Sequence, residues 1–299
     1  MNNMVKLSKV IKLVFSIVIR NVRWSWIKFV SWNGEIIRTV NGSKMILLTS
    51  RPGLDLKERS IHKQLALDGV REREATKIIQ SILKSGDAIL EIGANIGYYA
   101  LMESRIVGST GRIYAIEPES NNFKLLKRNL ELNRTDNVET FHQAISDRDG
   151  TSKLYISDSS NLHSMVPTAN TSASETETVS VQTVDSFLAG KRPVQFLRMD
   201  IEGYEYEALK GMAETLRLSN LKMFIELHAN ILPRDKSLWI LNELKSHGFS
   251  ITTSISHDKF IQRALGRVRI NQPTIDQLIH DPDLTSGRMG FLLFFDKHG

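Results

Sequence analysis

The chain contains no cysteine. Disulfides, thiolate nucleophiles, Cys-ligated zinc and cysteine-held iron–sulfur clusters are therefore excluded. Long apolar runs are also missing from the N-terminal segment. Its longest charge-free stretch, Leu13 to Ile19, is bounded by Lys12 and Arg20. That falls well short of the roughly 18–20 residues a membrane span needs. It is also short for a cleavable signal peptide, and no small-residue cleavage site follows it. No G-x-x-x-x-G-K-[ST] motif occurs, which removes the main signature of NTP hydrolysis. Repeats and low-complexity tracts are absent. With 41% hydrophobic and 24% charged residues over 299 positions, the composition is globular, and the length suits one large domain or two small ones.

Acid is scarce only at the start. The formal charge is +6, from 39 Lys+Arg and 33 Asp+Glu. Residues 1–40 hold seven cations (Lys6, Lys9, Lys12, Arg20, Arg23, Lys28, Arg38) and one anion, Glu35. Subtraction leaves 32 of each sign in residues 41–299, a net of zero. A basic excess ordinarily points to nucleic acid or an anionic membrane. A neutral body argues against a broad phosphate-tracking groove, so nucleic acid is not the expected partner.

At about 100° per residue, Lys6, Lys9, Lys12, Arg20, Arg23 and Lys28 fall within an arc of about 160°. Leu7, Ile11, Val14, Phe15, Val18, Val22 and Phe29 fall opposite, with Trp26 near them. Three of the four tryptophans, Trp24, Trp26 and Trp32, cluster at the end of this helix. Residues 4–32 thus read as a helix lying in a bilayer interface, or as one whose apolar side docks on the domain. An acid-poor basic start also has the character of an organellar transit peptide. The expected setting is cytoplasmic, peripheral on a membrane surface.

Residues 41–85 read as a small lead-in. Strands are expected at Glu35–Val40 and Met45–Thr49, a turn at Arg51-Pro-Gly, and helix over 57–84, broken near Gly69. From residue 86 strands alternate with helices. The strands Ala88–Ile92, Arg112–Glu117, Val138–Ile145, Gln195–Ile201 and Met223–Leu227 are separated by helical segments. The β-rich pieces Ser152–Ser157 and Val179–Val184 intervene, and Thr168–Thr178 reads as a surface loop. Phe249–Ile255 and Phe291–Asp296 close the pattern. Between them lie a helix (Thr274–His280) and the basic residues Arg263, Arg267 and Arg269. The fold class is α/β, a doubly wound, mostly parallel seven-stranded sheet with an antiparallel last strand. Its ligands are expected at the carboxyl ends of the strands.

The loops after those strands carry the chemistry. The first reads Glu91-Ile-Gly93-Ala-Asn95-Ile-Gly97, whose glycines permit a tight turn and close ligand approach. Its spacing is not the G-x-G-x-x-G of dinucleotide binding. Glu117 lies 20 residues past Gly97, the distance at which an acid meets ribose hydroxyls. Asp147, after Ala144-Ile-Ser146, either accepts from an adenine amino group or forms a turn with Ser146. The fourth loop, Asp200-Ile-Glu202-Gly203-Tyr204-Glu205, packs three carboxylates around a glycine. Glu205 fits a helix N-terminal acid there. His228 ends the fifth strand on the same rim. As a neutral imidazole it would suit the role of base, and a structural role is the alternative.

Taken in order, these motifs resemble the FkbM-type methyltransferases, within the class I S-adenosylmethionine-dependent fold. The resemblance rests on Asp87–Ala100, Glu117-Pro118, Asn129-Leu-Glu-Leu-Asn133, Ala144–Asp147, Val179–Leu188, Asp200–Glu205 and Ile225–His228. It is clearest over 86–230 of a domain running 86–299. It implies S-adenosyl-L-methionine as cofactor, held by Glu91, Gly93, Asn95, Gly97, Glu117 and Asp147. Glu91 stands where the family more often has Asp, and a carboxylate there suits the cationic donor. The implied reaction is methyl transfer to a hydroxyl of a sugar, glycolipid or other small molecule. Asp200, Glu202 and His228 are the candidate bases, and Asp200 with Glu202 could instead hold a divalent metal. An RNA ribose 2′-O methyltransferase and a membrane-tethered, non-catalytic binding module are the competing readings.

Overall fold

The basic N-terminal segment forms helix α1 (Asn2–Val30), which stops ahead of Gly34 at φ 74°. The structure, a computed structural model, describes residues 2–31, 33–49, 61–157, 159, 161–169, 171–256 and 268–297, with backbone only at 2–13 and 172–174. Trp32, the Arg51-Pro-Gly turn, Arg263 and Arg267 lie outside them. Residues 35–40 belong to no helix. They form β1 (Glu35–Val40), which pairs antiparallel with β2 (Ser43–Leu48). Asn41 and Gly42 make the turn at φ 45° and 82°, the left-handed pair that matches hairpin twist. Among the described residues no helix is long and apolar enough to cross a membrane.

The side of α1 that docks is not its fully apolar side. Trp24 and Ile27 pack on Leu67 of α2 (Ile61–Asp68). The same side forms the Arg20–Asp68 ion pair and takes a 2.9 Å bond from Lys63 Nζ to Asn21. The docking alternative is thus realised through Trp24 and Ile27, with Arg20 turned to the domain while Arg23 and Lys28 stay exposed. After Gly69, α3 (Arg73–Ile82) completes the lead-in.

An eight-stranded sheet follows, in the order β12-β11-β13-β10-β9-β3-β4-β5. Strands β3 (Ala88–Ile92), β4 (Arg112–Ile116), β5 (Val138–Phe141), β9 (Phe196–Met199) and β10 (Lys222–Leu227) are parallel. The last strand, β13 (Phe291–Lys297), is antiparallel to both β10 and β11 (Phe249–Ser256), as expected. The eighth strand, β12 (Arg269–Asn271), is one more than the sequence predicts. The chain runs outward from β3 to β5, then returns to the other side of β3 as β9. Such a reversal opens a crevice between the neighbouring strand ends.

Strand alternation sends side chains to two buried layers. Leu90, Ile92, Leu197 and Met199 face α7 (Glu205–Lys210) and α8 (Arg234–Ser246). Ile89, Ile113, Phe196 and Phe224 face α3, α4 (Tyr98–Val107) and α5 (Ser120–Leu132). A Thr274–Gln277 capping box starts α9 (Ile275–Ile279) at the predicted place.

Two expectations fail in the middle of the chain. The strand over 138–145 breaks at Phe141, and Ala144–Ile145 (β6) joins a separate three-stranded sheet with β7 (Gly150–Ser157) and β8 (Thr171–Gln182). Thr168–Thr178, read as loop from its polarity, is mostly β8, paired with β7 from Ser157↔Thr171 to Gly150↔Val181. Its alternating Thr and Glu suit a strand with one wet face.

Asn129 on α5 and Asn133 at its C-terminal cap fasten β2 to the domain. Asn129 Oδ1 accepts from Ile46 N at 2.7 Å while its Nδ2 donates to Ile96 O at 2.8 Å. Asn133 exchanges two bonds with the backbone of Lys44. Asn129 is fully buried, so Asn129→Leu strands an N–H and a carbonyl. The expected loss in urea unfolding is about 2–4 kcal/mol.

Candidate active site

A cleft opens at the carboxyl ends of β3, β4 and β9, where a sheet of this kind binds its ligands. Gly93, Asn95, Glu117, Asp200 and Glu202 line it, as do Arg71, Tyr99 and Arg198. Gly93 holds φ 86°, and a Cβ there would run into the carbonyl oxygen of Asp200. The glycine is therefore required where two strand ends meet, besides any approach of a ligand.

At one end of the cleft, Glu117 is almost fully buried. Its Oε2 accepts from Asn95 N at 2.8 Å and its Oε1 from Glu119 N at 2.9 Å. Each carboxylate oxygen keeps a second lone pair for a diol. Burial pushes its pKa up to about 8, against the pull of those two amides. Ile92, Ile116, Ile145, Leu154 and Met165 supply apolar walls. A cleft with apolar walls and a diol-accepting carboxylate fits an adenosine moiety. The carboxylates further along fit the sulfonium and ammonium of S-adenosylmethionine.

At the other end the acidic loop turns sharply. Glu202 and Gly203 both hold left-handed conformations, φ 51° and 96°, and Ser164 Oγ bonds Glu202 O at 2.7 Å. The three candidate bases come together. His228 Nε2 lies 3.3 Å from Glu202 Oε2, and its Nδ1 lies 2.7 Å from Glu205 Oε1. Glu205 stands in the first turn of α7, as expected, and also accepts from Gly203 N at 3.1 Å. Asp200, Glu202 and His228 each offer an atom within 4.8 Å of the others, as do Glu72, Asp200 and Glu226.

Their charges differ from the sequence expectation. Burial alone would lower the His228 pKa, but Glu202, Glu205 and Glu226 raise it well above the imidazole range. His228 is buried, off the cleft wall and flanked by three carboxylates that favour its protonated form, against the expected neutral base. Burial pushes Glu202 up to about 7, with His228 pulling down and Asp200 pushing up. Asp200 would also be raised by burial, but Arg198, Arg71 and His228 hold it below the carboxylate range. Asp200 is thus a fixed anion, and Glu202 is the group that can exchange a proton near neutrality.

Three cofactor candidates do not line the cleft. Glu91 is fully buried, and the cation it meets is Arg198, at 2.7 Å. Gly97 starts α4 at φ 91°, where a Cβ would press on Leu126. Asp147 lies beside Lys210 Nζ at 3.3 Å. Burial would raise its pKa, but Lys210 brings it below its usual value. The chain leaves the main sheet at Phe141, so Asp147 is no longer at a strand end facing the crevice.

Arg198 is the residue that motif reading passes over. It sits mid-strand at 1% exposure. Its Nη2 bonds Asp200 at 2.9 Å, and its guanidinium lies 3.8 Å from the Tyr99 ring centroid. Tyr99 in turn donates to Glu72 at 2.9 Å, and Arg71 lies 3.6 Å from Asp200. A cation inside an apolar parallel strand was the available signal. Arg71, His163 and Ser164 come from segments with no motif, whereas Tyr99 lies within Asp87–Ala100 and carries no polar signal that sets it apart there. Arg198→Met leaves Glu91 without its cation and Asp200 with only the more distant Arg71, and should cost about 3–5 kcal/mol in denaturant unfolding. The loss should be smaller near pH 5 than near pH 8, because Glu91, raised to about 7 by burial, needs no partner once protonated.

Residues 91–251 match the family of methyltransferase FkbM domains. Among curated proteins, the hexuronic acid methyltransferase AglP of Haloferax volcanii is 26% identical over 179 residues, covering 58% of this chain and 69% of that one. The crystal structure of a methyltransferase FkbM from Methylobacillus flagellatus aligns at TM-score 0.43 and 18% identity. The match covers 72% of this chain but spans only 45% of that one. An S-adenosylmethionine-dependent O-methyltransferase from Thermotoga maritima aligns at TM-score 0.44 and 15% identity, over 88% of this chain and 78% of that one. The family match covers more than half of the 299 residues, so this chain belongs to the FkbM methyltransferases, a family of S-adenosylmethionine-dependent enzymes.

Proposed function

We propose that the protein methylates a hydroxyl group of a carbohydrate acceptor, with Glu202 taking the proton. The observation that carries this reading is the contrast between the two acids on the cleft wall. Asp200 is pinned as an anion by Arg198 and Arg71, while Glu202, close by, sits near neutrality. A hydroxyl nucleophile needs a base poised near working pH, and an amine acceptor does not need a carboxyl so adjusted. The curated relative named for hexuronic acid supports a sugar as acceptor.

When bound, S-adenosylmethionine supplies an activated methyl group: the acceptor oxygen bonds to the methyl carbon as the C–S bond breaks, its electron pair staying on sulfur. The chain's own residues do the remaining work. Glu117 orients the donor through its ribose hydroxyls, and Gly93 lets the donor lie against the backbone. Asp200 places negative charge beside the sulfonium. Glu202 accepts the hydroxyl proton, and His228, held by Glu205, orients Glu202. Much of the rate comes from this alignment. The three ligand atoms of Asp200, Glu202 and His228 could hold a divalent ion only once His228 had released its proton, and a chelator separates that reading from this one.

Glu117→Gln should weaken S-adenosylmethionine binding about 10- to 100-fold by calorimetry, the worth of hydrogen bonds to a charged acceptor. In the unmutated protein affinity should rise with pH and level off above about 8, since the ionised Glu117 is the better acceptor. The variant should lose that dependence. Absence of any donor binding by the unmutated protein would end the reading. With a uronic-acid glycoside as acceptor, kcat/KM should rise with pH through about 7 and then level. Glu202→Gln should remove that limb and lower the rate about 10²- to 10⁴-fold, leaving donor affinity nearly unchanged.

A further inference from the structure

Helix α1 carries two apolar surfaces, and the domain covers one. Trp24 and Ile27 face Leu67. At about 100° per residue, Phe15, Val18, Ile19, Val22, Trp26 and Phe29 share an arc of about 100° on the side opposite Trp24. All six are exposed, with Val22 and Trp26 at 64% and Phe29 at 80%. The Trp26 and Phe29 rings lie 5.9 Å apart and form one apolar ridge. Single exposed apolar side chains are ordinary, but a contiguous ridge of six is not.

We propose that this outward ridge seats the protein on an anionic lipid surface, with α1 lying in the plane of the bilayer interface. Charge decides between that occupant and a second copy of the chain. Residues 1–34 contain six Lys and Arg and no acid. Arg20 is spent on Asp68, while Arg23 and Lys28 stand exposed beside the ridge. Two copies packed ridge to ridge would bring acid-free basic flanks together, whereas anionic headgroups complement them. Trp26 places an amphipathic ring on the ridge, the side chain that prefers the headgroup level. The helix lies on the surface and does not cross it, since none of the described helices is apolar enough to span. Docking also has a fixed relation to the cleft. α2, which holds α1 through Leu67 and Asp68, begins at Ile61 on the cleft wall. The proposal stands on α1 alone and does not depend on the acceptor assignment.

The test is sedimentation of the full chain with phosphatidylserine-containing vesicles and with pure phosphatidylcholine vesicles, beside the variant V22D/F29D. Both substituted positions face solvent, so the melting temperature and S-adenosylmethionine binding should stay unchanged and certify the fold. The expected result is binding to the anionic vesicles that weakens with salt and falls at least about tenfold in the variant. Three results would overturn the proposal. One is no sedimentation of the unmutated protein with anionic vesicles at low salt. Another is equal binding by both proteins or to both vesicle types. The third is a dimer, seen by light scattering, that V22D/F29D dissociates without any vesicle binding.

Discussion

The buried guanidinium of Arg198 is the constraint on which the site depends. It lies on β9 between Glu91 on β3 and Asp200 at its own strand end, and it stacks on Tyr99 of α4. One planar cation thereby fixes the register of two central strands, the angle of the helix above them, and the direction of a cleft carboxylate. Parallel pairing sets Glu91 directly across from Arg198, and Arg198 across from Phe224. The partners are therefore delivered by the sheet and need no flexible loop. Lysine could not do this, because a point charge lacks the fork that serves two carboxylates and the flat face that meets Tyr99.

Even with Arg198 in place, the region is short of positive charge. Arg71, Arg198 and His228 are three cations facing the carboxyls of Glu72, Glu91, Asp200, Glu202, Glu205 and Glu226, which number six. Burial makes the surplus costly. It appears as the upward displacement of Glu91 and Glu202 to about 7, and of Glu226 well above its usual value. Such a site favours a cationic guest. The donor of this family carries a sulfonium and an ammonium, and it loses the sulfonium charge on methyl transfer. The deficit therefore favours the charged donor over its neutral thioether product.

The large elements were legible because their signals are local. The strand ends at Gly93, Glu117 and Asp200 follow from apolar runs broken by glycine and acid, and the cleft is found where the fold class puts it. The errors have physical causes. The segment 168–178 was misread because β6, β7 and β8 form a sheet of their own, and a polar Thr-rich strand looks like loop until its partner is known; of the two roles open to Asp147, the structure shows the bond with Ser146. Glu91 was matched to a ligand cation because its true partner lies 107 residues away. His228 was read as neutral because Glu202 and Glu205, which approach it most closely, come from another loop, and only Glu226, two residues away, can be placed beside it by spacing. In each case the missing information is a contact between distant segments.

The N-terminal helix shows the same limit from the other side. Its cations and apolar residues sort into arcs by periodicity, yet periodicity could not say which arc the domain would take. The fully apolar arc offers the larger hydrophobic gain, at about 25 cal/mol per Å², and intuition would bury it. The structure buries the mixed side because α2 presents Leu67 beside Asp68 and Lys63, a surface that matches Trp24 and Ile27 flanked by Arg20 and Asn21. Polar complementarity thus selects the docked face and leaves the greater apolar area outside. A domain needing only to stabilise itself would gain by rotating that helix half a turn. The polar residues that prevent the rotation therefore hold the apolar ridge outward.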